Sequence, residues 1–125
     1  MRENTVKKKS FDFAIRIMAL QKQLITNKEF IVSRQVVRSG TAIGALIREA
    51  EHAESKADFI HKMSIALKEA NETHYWLELL YKSGYIEGKL FQSLFKDAEE
   101  ILKMLIAIVK TSKLNLKKRK PYTIH

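Results

Sequence analysis

The chain is expected to be all-α, an antiparallel up-down-up-down four-helix bundle. Three observations carry that expectation. One Pro and four Gly in 125 residues leave little to punctuate strands and turns. Apolar residues recur at three- and four-residue spacing through four separate segments. The connections between those segments, at about 28–30, 54–55 and 84–86, are too short for anything but antiparallel neighbours.

The first segment runs from about Ser10 to Asn27. Ser10 is placed to cap it, and Asp12 lies in the first turn, where negative charge suits the helix dipole. Its apolar residues form two adjacent stripes. One is Phe11, Ala14, Ile15, Met18 and Ile25; the other is Phe13, Ile17, Leu20 and Leu24. The second segment, about Ile31 to Ala53, puts Val36, Gly40, Ile43, Ile47 and Ala50 on one face. Its middle is small: Ser39, Gly40, Thr41, Ala42, Gly44 and Ala45. Gly inside a helix costs about 1 kcal/mol relative to Ala, and close approach of a neighbouring helix is the simplest compensation. A phosphate-cradling loop lacks the preceding strand and flanking Lys that would support it.

The third segment starts at Ser55, with Asp58 three residues on as a variant capping box, and stops near Ser83 with Gly84 ready to turn left-handed. Phe59, Met63, Ala66, Ala70, Thr73, Leu77 and Leu80 line its inner face. The fourth runs from about Glu87 to Thr111, with Phe91, Leu94, Ala98, Ile101, Leu105 and Ile108 inward. A second stripe lies beside them: Phe95, Leu102, Ile106 and Val109. One bundle core does not need the extra stripes on the first and fourth helices, so a homo-oligomer is favoured over a wide monomer core.

The 23 Lys and Arg outnumber the 14 Asp and Glu, for a net charge of +9 with four neutral His. A chain of this length holds one domain with one real core. With no Cys, a thiol nucleophile, a zinc-thiolate site and a disulfide framework are excluded. Most of the charge sits at the ends. Arg2, Lys7, Lys8 and Lys9 stand at one, and Lys113, Lys117, Lys118, Arg119 and Lys120 at the other, around a nearly balanced middle. The chain thus divides into a basic segment 1–9, a bundle 10–112 and a basic tail 113–125. No stretch reads as a membrane span or signal core, because Asp12 and Arg16 interrupt one candidate and Lys103 the other. A soluble, cytoplasmic protein is expected.

Basic ends raise the expectation of contact with phosphate backbones. Lys7, Lys8, Lys9, Lys117, Lys118, Arg119 and Lys120 are the candidate nucleic-acid residues, with Tyr122 able to stack a base. Both ends fall at one end of the bundle, so a cyclic oligomer would repeat them as a basic collar and gain apparent affinity. No recognition signature supports sequence-specific readout. The bland alternative is a solubilising tail.

Two polar groups within the helices invite a functional reading. Arg38 on the second helix can cross to Lys68, Glu69 and Glu72 on the third, close to Trp76, as a buried network fixing register. The alternative is a surface lattice of weak pairs. Glu49-x-x-His52 and Asp58-x-x-His61 resemble halves of a carboxylate-bridged di-metal site. Asp12 could add a third helix's ligand, but Ile101 to Lys110 contains no acid, so the set is one ligand short. No metal, cofactor or catalytic residue is expected, and no Ser/His/Asp arrangement has positional support.

Several runs carry a family resemblance. They are Arg38-Ser39-Gly40-Thr41-Ala42-Ile43-Gly44-Ala45, Glu49-Ala50, Ser55-Lys56-Ala57-Asp58-Phe59, and Ile65 through Leu80 with its His74-Tyr75-Trp76 core. Over about residues 10 to 112 the chain resembles the bacterial proteins encoded in intervening sequences of 23S ribosomal RNA genes. The resemblance implies a left-handed bundle, a ring-shaped homopentamer, no known catalytic activity and a link to RNA. Leu46 stands where many relatives have Asn, and Glu87-Gly88 replaces the usual Ser-plus-acid start of the last helix. The functional expectation is a non-enzymatic homo-oligomer with weak, non-specific RNA binding through its termini. The alternative is a protein-binding scaffold with no nucleic-acid role.

Overall fold

The computed structural model describes residues 2–123, with side chains from 5 to 118. It contains four helices, α1 (Arg2–Thr26), α2 (Val32–Ala50), α3 (Lys56–Lys82) and α4 (Gly88–Thr123), and no strand among the described residues. Each helix packs on its two neighbours in the ring α1-α2-α3-α4, and among the described residues the backbones of the diagonal pairs do not approach within 8 Å. Contact registers run in opposite directions across every interface. Lys9 meets Glu100 while Arg16 meets Asp97, and Glu49 meets Lys62 while Arg38 meets Glu69. The expected antiparallel order is therefore the one observed. No described helix is long and apolar enough to cross a membrane.

Phe13, Ile17, Leu24, Ile43, Met63, Leu77, Leu80, Leu94, Ile101 and Leu105 fill the core. Burying a side chain of this size contributes about 1.5–3 kcal/mol. Gly40 and Gly44 face α1. A Cβ on Gly40 would stand 3.0 Å from Ile17 Cγ1, and one on Gly44 would stand 3.3 Å from Ser10 Oγ and 3.5 Å from the Ser10 carbonyl. The small middle of α2 is thus a seat for another helix, and that contact offsets the propensity cost of the two glycines.

The first helix begins eight residues earlier than the Ser10 expected to cap it. Ser10 is fully buried inside α1, and its hydroxyl donates to the Lys7 carbonyl at 2.9 Å. Val6 lies one turn before it in the core. Residues 5–9, read as part of a basic extension, therefore belong to the bundle, because Val6 shares a face with Ser10, Phe13 and Ile17. At the other end α4 continues to Thr123, well past the expected Thr111. Its 36 residues make a rod about 54 Å long, which overshoots the helices beside it.

Helix ends follow local chemistry. Ser55 accepts from the Asp58 amide at 3.0 Å, as expected of a cap, while Asp58 accepts from Glu54 rather than closing the box on Ser55. Glu87 caps α4 by accepting from the Lys89 and Leu90 amides at 3.1 and 2.7 Å. Gly84 ends α3 at φ +85°, with the Tyr85 amide donating to the Leu80 carbonyl. Lys28 ends α1 in the same way at φ +64°, with the Glu29 amide donating to the Leu24 carbonyl. No glycine marks that turn in the sequence. Helix α2 stops at Ala50 instead of Ala53, because the next residues tighten into single turns before Ser55 starts α3.

Gly40→Val should lower stability by about 1–3 kcal/mol, read by urea denaturation, because Ile17 must yield to a branched side chain. Lys28→Gly should instead raise it by up to about 1 kcal/mol by relieving the left-handed backbone. A neutral Gly40→Val would show that the α1–α2 contact is slack.

Candidate functional site

The two stripes of α1 separate cleanly. Phe13, Ile17, Leu20 and Leu24 are in the core, whereas Phe11, Ile15, Met18 and Ile25 are exposed by 49, 55, 46 and 45%. The Arg48 guanidinium lies 5.0 Å over the Phe11 ring, so this band sits on the α2 side of α1. On α4 the second stripe is mostly used within the chain. Val109 is buried, Phe95 and Leu102 are half-buried, and only Ile106 of that set stands well exposed. Phe95 lies 3.8 Å from the His74 ring and 4.8 Å from Phe91, which in turn stacks on Tyr81 at 4.2 Å. An aromatic row between α3 and α4 accounts for the width that the sequence assigned to an interface.

Arg38 crosses from α2 to α3 and pairs with Glu69 at 3.1 Å and with Glu72. The Trp76 indole donates to the same Glu72 carboxylate at 2.9 Å. The indole first, and then the guanidinium, hold the Glu72 carboxyl below the usual carboxylate range. The cluster is not the buried network expected, since the Arg38 side chain is 47% exposed. Lys68 points to solvent on the outer face of α3 and takes no part in it. What lies buried beneath is smaller: the Ser39 and Thr73 hydroxyls are hydrogen-bonded to each other at 2.8 Å, with both residues fully enclosed. That pair went unremarked in the sequence, although its two members lie on the inward edge of the small-residue run and of the α3 core face.

The three N-terminal lysines each meet an acid. Lys7 pairs with Glu51 at 2.8 Å, Lys8 with Asp12 at 2.7 Å and Lys9 with Glu100 at 2.7 Å. Glu51 and Glu100 are held below the usual carboxylate range by Lys7 and Lys9. Two of these lysines thus tie α1 to the end of α2 and to α4. Lys117 and Lys118 stand exposed on α4 with no ion-pair partner among the described residues. The side chains of Arg119, Lys120 and Tyr122 lie outside the described residues. Among the described candidates, the N-terminal lysines are paired and Lys117 and Lys118 are not.

Of the possible metal ligands, Glu49, His52 and Asp58 line one open groove with Arg48, Glu54 and Lys62, but they do not converge on a point. Lys62 pairs with Glu49 at 2.9 Å, Asp58 accepts from the Glu54 amide, and His52 and His61 are exposed. Among the described residues no group of three His, Asp or Glu side chains converges. An open groove of about 520 Å³ lies between the α2–α3 corner and α4, lined by Ala50, Phe59, Ile60, Ile108 and Asn115 among others. Glu51 is the one carboxylate in its lining, and Lys7 occupies it.

The family model of the 23S rRNA-intervening sequence protein matches residues 2–107. The chain is also similar to a crystal structure of a protein of unknown function from the S23 ribosomal protein family of Bacteroides thetaiotaomicron. The two are 57% identical with a TM-score of 0.86, over 88% of this chain and 99% of that one. No curated protein matches the chain.

Because Glu72, Glu51 and Glu100 bind protons less readily folded than unfolded, their stabilisation is present above the ordinary carboxylate range. It is lost as pH falls through that range toward the folded values. Glu72→Gln should cost under about 1 kcal/mol at pH 7, in line with exposed ion pairs. It should also flatten the fall in stability between about pH 5 and pH 3, read by urea denaturation at each pH. An unchanged acid limb would remove Glu72 from the set.

Proposed function

The chain belongs to the 23S rRNA-intervening sequence protein family, and from that membership we propose a non-enzymatic protein that assembles with copies of itself as a ring of five. In this reading it associates with RNA weakly, without reading sequence, through its basic ends, and it works in the cytoplasm. The observation that carries the assembly is the apolar band of α1. Four large apolar side chains stand about half in water along one helix, and a contiguous band of that kind marks an interface more often than a wet surface. Commitment of Glu49, Asp58 and Glu51 to lysines and caps supports the non-enzymatic part.

The RNA component rests on charge. Lys113, Lys117 and Lys118 are exposed and unpaired among the described residues, which favours the C-terminal end over the three neutralised N-terminal lysines. The scaffold alternative draws on a different surface. Phe30 and Ile31 project at the opposite end of the bundle, Ile31 with 78% of its surface in water.

Light scattering with size exclusion on the full chain should give a mass of five subunits. Ile15→Glu combined with Met18→Glu should reduce it to one while far-UV circular dichroism stays helical. A monomeric parent would overturn the assembly, and a ring indifferent to RNA at low salt would move the function to the scaffold.

A further inference from the structure

The outer face of α4 carries a column of lysines. Lys89, Lys96, Lys103, Lys110 and Lys117 recur every seven residues, and all five are exposed. Seven residues advance a helix by about 10.5 Å, so the column runs about 42 Å from first to last. A seven-residue step drifts by about 20° per repeat, so the column winds slowly and stays on the outer face. None of the five makes an ion pair among the described residues.

A solvated helix face ordinarily mixes signs, and α4 has acids with which to do so. They are concentrated in Asp97, Glu99 and Glu100, and all three face other groups. Asp97 binds Arg16 at 2.6 Å, Glu100 binds Lys9, and Glu99 lies 3.7 Å from His74 Nε2. Two acids therefore hold α4 against α1 and the third turns toward α3, which leaves the lysine column without a direct ion-pair partner, although Glu100 lies near enough to Lys96 and Lys103 to feel their charge. Its outer end continues into the part of α4 that overshoots the bundle.

The geometry points to a track for the sugar-phosphate backbone of an RNA strand along α4, from Lys89 to Lys117. This deepens the RNA reading above and rests on it, but it moves the main contact from the chain ends to the length of one helix. Regular, flexible point charges suit a long polymer with a charge on every unit, and Lys contacts phosphate without selecting bases. A protein partner fits less well, since protein interfaces are depleted in Lys and are anchored by buried aromatic residues or Arg. The column contains neither.

The test uses the full chain and fluorescence anisotropy with labelled polyuridine, which lacks secondary structure. The variant Lys96→Gln, Lys103→Gln, Lys110→Gln should weaken binding at least about tenfold at low salt. It should also shallow the salt dependence of log K by about 2, as expected for three lost single-strand contacts. Lys56→Gln, Lys68→Gln, Lys82→Gln, which removes the same charge from α3, should leave both quantities unchanged. Equal weakening by the two triple variants would reduce the effect to net charge and overturn the track. A third variant, Lys113→Gln, Lys118→Gln, Arg119→Gln, Lys120→Gln, separates the two readings. If it alone abolishes binding, RNA association through the tail stands and the track falls. A parent protein that does not bind polyuridine at all defeats both, and equal affinity for polyglutamate defeats the assignment to RNA. Melting curves and light scattering on each variant keep loss of fold or assembly apart from loss of contact.

Discussion

Helix α1 lies against α2 where α2 has no side chains. Gly40 receives Ile17 and Gly44 receives the Ser10 turn, and this contact fixes how α1 is rotated about its own axis. With about 100° between successive residues, seating Ser10 and Ile17 on α2 leaves little freedom for the rest. Phe13, Leu20 and Leu24 must point to the core, Lys9 and Arg16 must point toward α4, and Phe11, Ile15 and Met18 must point out beside α2. The exposed band is thus a consequence of the glycine seat. Rotating α1 to hide that band would drive its backbone from the one place where α2 can admit it.

Ion pairs then divide the basic residues into two populations. Lys7, Lys9 and Arg16 reach acids on α2 and α4. Each such surface pair is worth little alone, so their effect is less on total stability than on which cations remain available to another molecule. Those of α1 are largely spent within the chain. Those of α4 are not, because the acids of α4 are turned toward α1 and α3. A net charge of +9 therefore describes the two helices poorly, and an electrostatic partner would meet a field centred on α4 and its overshoot.

Legibility in the sequence followed how local each signal is. Ser55 and Gly84 could be read because a single residue type does the job at a single position. Lys28 could not, because a left-handed turn at a non-glycine leaves no mark. Ser10 was misleading for a related reason: a hydroxyl before an apolar run reads as a cap, but the same hydroxyl can donate backward to a carbonyl one turn earlier inside a helix. The inner faces of α2 and α3 were legible nearly residue by residue, since period and side-chain size agree there. The second stripe of α4 was not, because its coverage depends on Phe91, His74 and Tyr81 meeting across two helices. The partners of Arg38 were readable from type and spacing, but their exposure was not. The seven-residue lysine spacing lay in plain view, but only the pairing of Asp97 and Glu100 with α1 shows that it forms no direct ion pair.

The two surfaces proposed for partners do not overlap. The apolar band lies on the α2 side of α1, under Arg48, and the lysine column lies on the outer face of α4. Between them run the Lys9–Glu100 and Arg16–Asp97 pairs, which join the two helices along their shared groove. A second copy seated on the band meets α1 and α2, so it leaves the α4 face of the same chain open. Assembly through the band would then multiply the lysine columns around the ring rather than bury them. A polymer long enough to reach two of them would gain in apparent affinity without any new kind of contact. If both occur, self-association and polyanion binding would rest on one arrangement, set by the rotation of α1 that Gly40 and Gly44 impose.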